Sequence, residues 1–190
     1  DKEVSAYTFP KYKDDVAEIF KNMPEMMEFF SQKLGVDFPW DKMANIMAYD
    51  YTAGAMENSS AIIYYESLLC NRQKLIDGDF DWIISHELFH QWFGDLVTAE
   101  SWANLTLNES FADYSEYMWY EYRDGKDLAD AYRYKATQKY MRSSKFKNEP
   151  IVNYYYDSPH DNFDDIRYEK GGAVLHMLRN YVGEDAFFKS

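Results

Sequence analysis

Residues 79–97, DFDWIISHELFHQWFGDLV, place apolar side chains at every angle of a helical wheel. A helix that is apolar all round is an internal one, so other elements have to be built around it. Asp79 or Asp81 is available to cap its start. Within it, SHELFHQWFGDL (85–96) carries three ionisable groups, His86, Glu87 and His90. Two readings compete. In the first, the histidines are hydrogen-bonded core residues and Glu87 pairs with a distant cation. In the second, they form a metal site. Residues four apart on an α-helix lie about 40° apart around its axis, so His86 and His90 project to one side and can grip one ion. Glu87 falls near the same arc and can reach a water on that ion without ligating it, the H-E-x-x-H arrangement of metallopeptidases. Uncompensated buried charge is costly and a divalent cation compensates it, which weighs for the metal.

Composition narrows the chemistry. The 190 residues, 46% hydrophobic, suffice for one sizeable core or for two small subdomains sharing a cleft. With 18 Tyr, 13 Phe and 5 Trp, the chain suits a packed interior and not a disordered tail. A net charge of -13 argues against a nucleic-acid surface, which needs clustered Lys and Arg, and favours solubility and cationic ligands. The single cysteine, Cys70, excludes an internal disulfide and a cysteine-based zinc ribbon, so ligands must be His and carboxylate. Zinc usually takes three protein ligands. LTLNESFADY supplies Glu109, with eighteen residues between it and His90, enough for a loop and the start of an antiparallel helix. Asp113, one turn further, either orients a ligand histidine through its other ring nitrogen or lies on a solvated helix face.

No run of eighteen apolar residues is present, so no membrane span is expected, and no basic-then-apolar signal opens the chain. A soluble protein is expected, with the compartment open between cytoplasm and periplasm or secretion. The chain begins at Asp1 and stops at Ser190 inside GEDAFFKS, which still reads as helical, so an excerpt of a longer protein is expected.

The spacing of Val16, Ile19, Phe20, Met23, Met27 and Phe30 predicts a helix over 14–35, bent or broken near Pro24 and closed by Gly35. Residues 39–69 read as two strands joined through GAMEN (54–58). After the internal helix, further helices are expected over 108–125, closed by Gly125, over 127–144, and over 163–182, where Gly171 and Gly172 interrupt the pattern. Strands first and helices after give an α+β fold, with a sheet-bearing region of about 1–75 and a helical region of about 76–190. The aromatic clusters EYMWYEY (116–122) and NYYYD (153–157) line a cleft or, more commonly for such clusters, pack a core.

GAMEN (54–58), HELFH (86–90), NES (108–110) and YEKGG (168–172), in that order, resemble the zinc aminopeptidases of the gluzincin group, the alanyl aminopeptidase or aminopeptidase N type. The likeness runs from about 44 to 180. It implies a thermolysin-like catalytic domain, which in that family follows a β-rich domain and precedes a helical one. It also implies one zinc per chain on His86, His90 and Glu109, with Glu87 as general base and Tyr168 stabilising the tetrahedral intermediate. Glu57 would hold the free amino group of a peptide substrate, and the backbone of Gly54, Ala55 and Met56 would pair with the substrate strand. Ser110 departs from the family's usual Gly, Ala103 from a common Trp, and Phe89 from a frequent Ala. These differences bear on pocket shape and leave the ligand set intact.

The expected activity is hydrolysis of N-terminal peptide bonds: zinc acidifies a water, Glu87 takes its proton and later protonates the leaving amine. A zinc endopeptidase or other zinc hydrolase on the same scaffold would differ in its indifference to a blocked substrate N-terminus. An inactive binding module would be expected to lack Glu87 or a ligand, and all are present.

Overall fold

The computed structural model of the chain describes residues 2–143 and 149–189. Two compact units divide it, Asp1–Asp95 and Leu96–Ser190. Among the described residues the first carries all the strands and the second is helical, the expected α+β order.

The first unit opens with β1 (Glu3–Tyr7), a short strand with exposed ends that the hydrophobic pattern does not announce. The helix expected over 14–35 is two, α1 (Val16–Ile19) and α2 (Met23–Leu34). The break precedes Pro24, which sits in the first turn of α2, where a missing N–H is not needed. Gly35 closes α2 at φ 64, as a C-cap glycine does.

Three more strands follow, β2 (Lys42–Ala48), β3 (Ala55–Met56) and β4 (Ala61–Tyr65), in spatial order β1-β2-β4-β3. β1, β2 and β4 run parallel, and β3 pairs antiparallel with β4 through Ala55↔Tyr64 and Met56↔Ile63. GAMEN is therefore not a connector between two strands: its Ala55 and Met56 are an edge strand of their own, turning over residues 57–60 into β4. A strand of two residues has no periodicity to read.

After α3 (Lys74–Asp77) comes α4 (Asp81–Phe89). Trp82 alone in α4 is exposed, while Ile83, Ile84, Leu88 and Phe89 are buried along with Ser85, His86 and Glu87. The helix is internal, as its composition requires, but it is shorter than the expected 79–97. Past His90 the chain turns through Gly94 at φ 144, where side chains are disfavoured. The apolar residues beyond the helix still pack: Trp92 donates from Nε1 to the Val36 carbonyl at 3.0 Å and sets its ring edge against Phe38 at 5.6 Å. Phe30 of α2 meets Phe89 edge-on at 5.0 Å, joining the two helices.

The second unit is built on α5 (Thr106–Asp124) and α6 (Lys126–Arg142), separated by Gly125 at φ 90. The expected end of the third helix at 144 lies outside the described residues. The expected helix over 163–182 is in fact a π-helical turn, Ile166–Lys170, running into α7 (Gly171–Val182), with α8 (Glu184–Phe187) after it. In the π turn the Lys170 N–H reaches back five residues to the Asp165 carbonyl at 3.0 Å. Among the described residues no helix is long and apolar enough to cross a membrane.

Gly171 and Gly172 have a packing reason. A Cβ on Gly171 would stand 1.7 Å from Ser110 Oγ, and one on Gly172 would stand 1.9 Å from Asp113 Oδ2. Gly171→Ala is accordingly expected to destabilise the protein by about 1–3 kcal/mol through overpacking, read as a lower urea midpoint. Adding Ser110→Gly removes the clashing atoms and should restore part of the loss. An unchanged midpoint in Gly171→Ala would refute this close contact.

Candidate active site

The site residues expected from the sequence fall on both units. Gly54, Ala55, Met56, Glu57, His86, Glu87 and His90 belong to the first, and Glu109, Asp113 and Tyr168 to the second.

In the first unit, His86 and His90 sit one turn apart with ring centroids 4.9 Å from each other, 8% and 1% exposed. His90 still has its N–H bonded to the His86 carbonyl at 3.3 Å, so the pair keeps helical spacing although α4 ends beside it. Nδ1 of His90 lies 3.0 Å from the Phe93 carbonyl oxygen. A carbonyl can only accept, so Nδ1 carries the hydrogen and Nε2 keeps its lone pair, the tautomer that a metal ligand needs. Glu57, Glu87 and His90 offer ligand-type atoms within 4.8 Å of one another. Two carboxylates and an imidazole are thus gathered at one end of α4, with Glu57 supplied by the turn that follows the edge strand β3.

The negative charge there is felt by its neighbours. Burial first, and Glu87 second, push the Tyr64 phenol well above its usual range, and Tyr51 is raised by burial with help from Glu87 and Glu57. The carboxyl of Asp95 is pushed up to about 6, mainly by burial and further by Glu57, against the pull of the Ser59 hydroxyl and His90.

In the second unit, Glu109 is buried near the start of α5. Its neighbour Ser110 donates from Oγ to the Arg167 carbonyl at 2.5 Å, and Arg167 precedes Tyr168. Glu109 and Tyr168 therefore each stand one residue from a single buried hydrogen bond. Tyr168 is half-buried in the π turn between two buried residues, Arg167 and Glu169. The fully buried Arg167 guanidinium bonds Asp164 at 2.8 Å and Asn162 at 2.7 Å, anchoring the turn. π turns are frequent at functional positions.

Asp113 is not on a solvated face. It is 6% exposed and accepts from Arg133 Nη1 at 2.6 Å, while Nη2 of the same arginine donates to the Glu169 carbonyl at 3.0 Å. Burial of one such partner without the other would be strongly destabilising.

Three residues near these groups were not singled out by sequence reasoning. Gln91 and Asp95 lay in plain view as polar residues inside the apolar stretch 85–96. Arg133 gave no local signal, because its partners stand 20 and 36 positions away.

Two imidazoles with a carboxylate nearby are donor chemistry suited to zinc. Comparison with known proteins agrees. Residues 19–190 match the model of the Peptidase family M1 domain. The chain is 35% identical over 182 residues to Aminopeptidase 2 of Candida albicans, covering 87% of this chain and 19% of that protein. It is 35% identical over 180 residues to Aminopeptidase N of Mus musculus, covering 86% and 18%. It thus spans about a fifth of the length of these relatives. A crystal structure of an M1 zinc metallopeptidase from Deinococcus radiodurans shares the fold, with a TM-score of 0.72 at 24% identity over 88% of this chain and 34% of that one.

Proposed function

This chain belongs to peptidase family M1, and from that premise we propose that it is the catalytic part of a zinc aminopeptidase that removes N-terminal residues from peptides. The observation that carries the reading is the buried His86–Glu87–His90 grouping at the end of α4, with Glu57 close by. The ligands are His86, His90 and Glu109, one zinc per chain. When bound there, zinc supplies Lewis-acid polarisation of the scissile carbonyl and acidifies a water molecule.

The chain's own residues do the rest. Glu87, too near the histidines to be far from that water and not needed as a ligand, takes its proton and passes it to the leaving amine. Tyr168 donates a hydrogen bond to the carbonyl oxygen as charge develops on it, a contribution that strengthens toward the transition state. The open edge of β3 gives the backbone of Gly54, Ala55 and Met56 a way to pair with the substrate chain. Glu57 at its end takes the substrate's ammonium, which limits cleavage to the first peptide bond. Asp113, one turn beyond Glu109 and fixed by Arg133, serves as an orienting carboxylate behind the ligands. Flanking domains of a longer parent chain complete the cleft.

The test begins with metal. Zinc-reconstituted protein is expected to hold one zinc per chain by elemental analysis and to hydrolyse aminoacyl arylamides until a chelator is added. His90→Ala is expected to lose the metal and the activity together. Unchanged zinc content in His90→Ala would sink the ligand assignment, and equal cleavage of free and N-acetylated substrates would turn the reading to an endopeptidase.

A further inference from the structure

Gln91 follows the ligand histidine His90 directly and is fully buried. A buried amide must spend its hydrogen bonds inside the protein. This one spends them on a single target, the turn between β3 and β4. Its Oε1 accepts from the Ser60 N–H at 2.8 Å, and its Nε2 donates to the Glu57 carbonyl at 2.7 Å. The amide's orientation is fixed by its partners, since a backbone N–H only donates and a carbonyl only accepts.

The turn it holds is under local strain. Ser60 stands at φ 61, a left-handed conformation uncommon for a residue with a side chain. Its carbonyl is committed to Ala44 of β2 at 2.9 Å, and the turn is closed by the Ala61 N–H on the Asn58 carbonyl at 2.8 Å. Asp95, four residues on from Gln91, has its own N–H bonded to the His90 carbonyl at 3.0 Å, which fixes the chain just after the histidine. Gln91 therefore grips residues 57–60 at both ends.

We propose that Gln91 is a positioning residue which, by bridging the Glu57 carbonyl and the Ser60 N–H, fixes the distance from Glu57 to the histidine pair and so sets selectivity for substrates bearing a free N-terminal ammonium. This rests on the reading of Glu57 as the ammonium acceptor. A carboxylate on an edge hairpin would otherwise move with the hairpin. Tying its backbone to the residue beside His90 makes the span from ammonium to scissile bond a fixed length, which is what restricting cleavage to the first residue demands.

The experiment uses zinc-reconstituted protein and two variants. Gln91→Met keeps the length and apolar stem but removes both hydrogen bonds. Gln91→Glu keeps an acceptor for Ser60 but sets a carboxylate oxygen against the Glu57 carbonyl. Binding of leucinol and of N-acetylleucinol is measured by calorimetry, with zinc content and the kcat and KM of an aminoacyl arylamide alongside. Both variants are expected to hold one zinc and to bind leucinol about tenfold more weakly, with N-acetylleucinol little affected and the arylamide loss appearing chiefly in KM. If either folded variant keeps the parent's preference for leucinol, or loses affinity for both ligands equally, Gln91 does not set the position of Glu57. If the parent itself shows no preference for leucinol, it is the reading of Glu57 that fails, and the proposal falls with it. Loss of zinc from both variants would overturn the proposal by showing that Gln91 supports the metal instead.

Discussion

Glu87→Gln is expected to leave zinc at one per chain and to lower kcat by about 10²–10⁴, the range that general base catalysis contributes. The substitution preserves shape and removes only the capacity to accept a proton. Glu87 is 7% exposed on an internal helix, so an isosteric change avoids a cavity, and removing a charge from a buried position should not lower the melting temperature. Elemental analysis and arylamide turnover on the same preparation check both halves. Because a metal-free or misfolded protein would also be inactive, only inactivity with zinc retained counts for the role. A rate near that of the parent would show that another group takes the proton, and Glu57, with a carboxylate oxygen within 4.8 Å of one of Glu87, would be the first to examine.

Glu57→Ala is expected to cut kcat/KM for free-amine substrates by about ten- to more than a hundredfold, since a partly desolvated charge-assisted hydrogen bond contributes about 1.5–3 kcal/mol. N-acetylated substrates carry no ammonium and should be poor for the parent, with little further loss in the variant. The contrast between the two substrate classes separates amine recognition from general damage, which would lower both. The comparison is best made in the longest available form of the protein. Equal cleavage of both classes by the parent would refute amine anchoring and favour the endopeptidase alternative.

What the sequence discloses about this chain is what is local. The i, i+4 histidines, the apolar wheel around them and the glycine stops at 35 and 125 each depend on residues within a turn or two, and each is found where expected. α4 ends earlier than its sequence predicts because Trp92 and Phe93 continue the apolar run after the backbone has turned; hydrophobicity records burial and not backbone conformation. β1 and β3 escaped for a related reason. One has exposed ends and the other is two residues long, and both owe their existence to partners elsewhere, Lys42–Ala48 and Ala61–Tyr65. The ties that shape the candidate site are less legible still. Gln91 to Glu57 spans 34 positions, Ser110 to Arg167 spans 57, and Arg133 to Glu169 spans 36. In every case the residue type is visible in the sequence and its partner is not.

The π turn at Ile166–Lys170 makes this part of the chain sensitive to its length as well as to its spelling. A π turn holds one residue more than an α-helical turn in its place would. Deleting any one residue there would let the segment relax into continuous α-helix, and every side chain before the deletion would swing by about 100° relative to α7. With a deletion after Arg167, the Arg167 carbonyl would leave the Ser110 hydroxyl, Tyr168 would exchange its half-exposed position for another, and α7 would still be pinned by its glycines against Ser110 and Asp113. Point changes in 166–170 alter one contact at a time, whereas a one-codon deletion rewrites all of them at once.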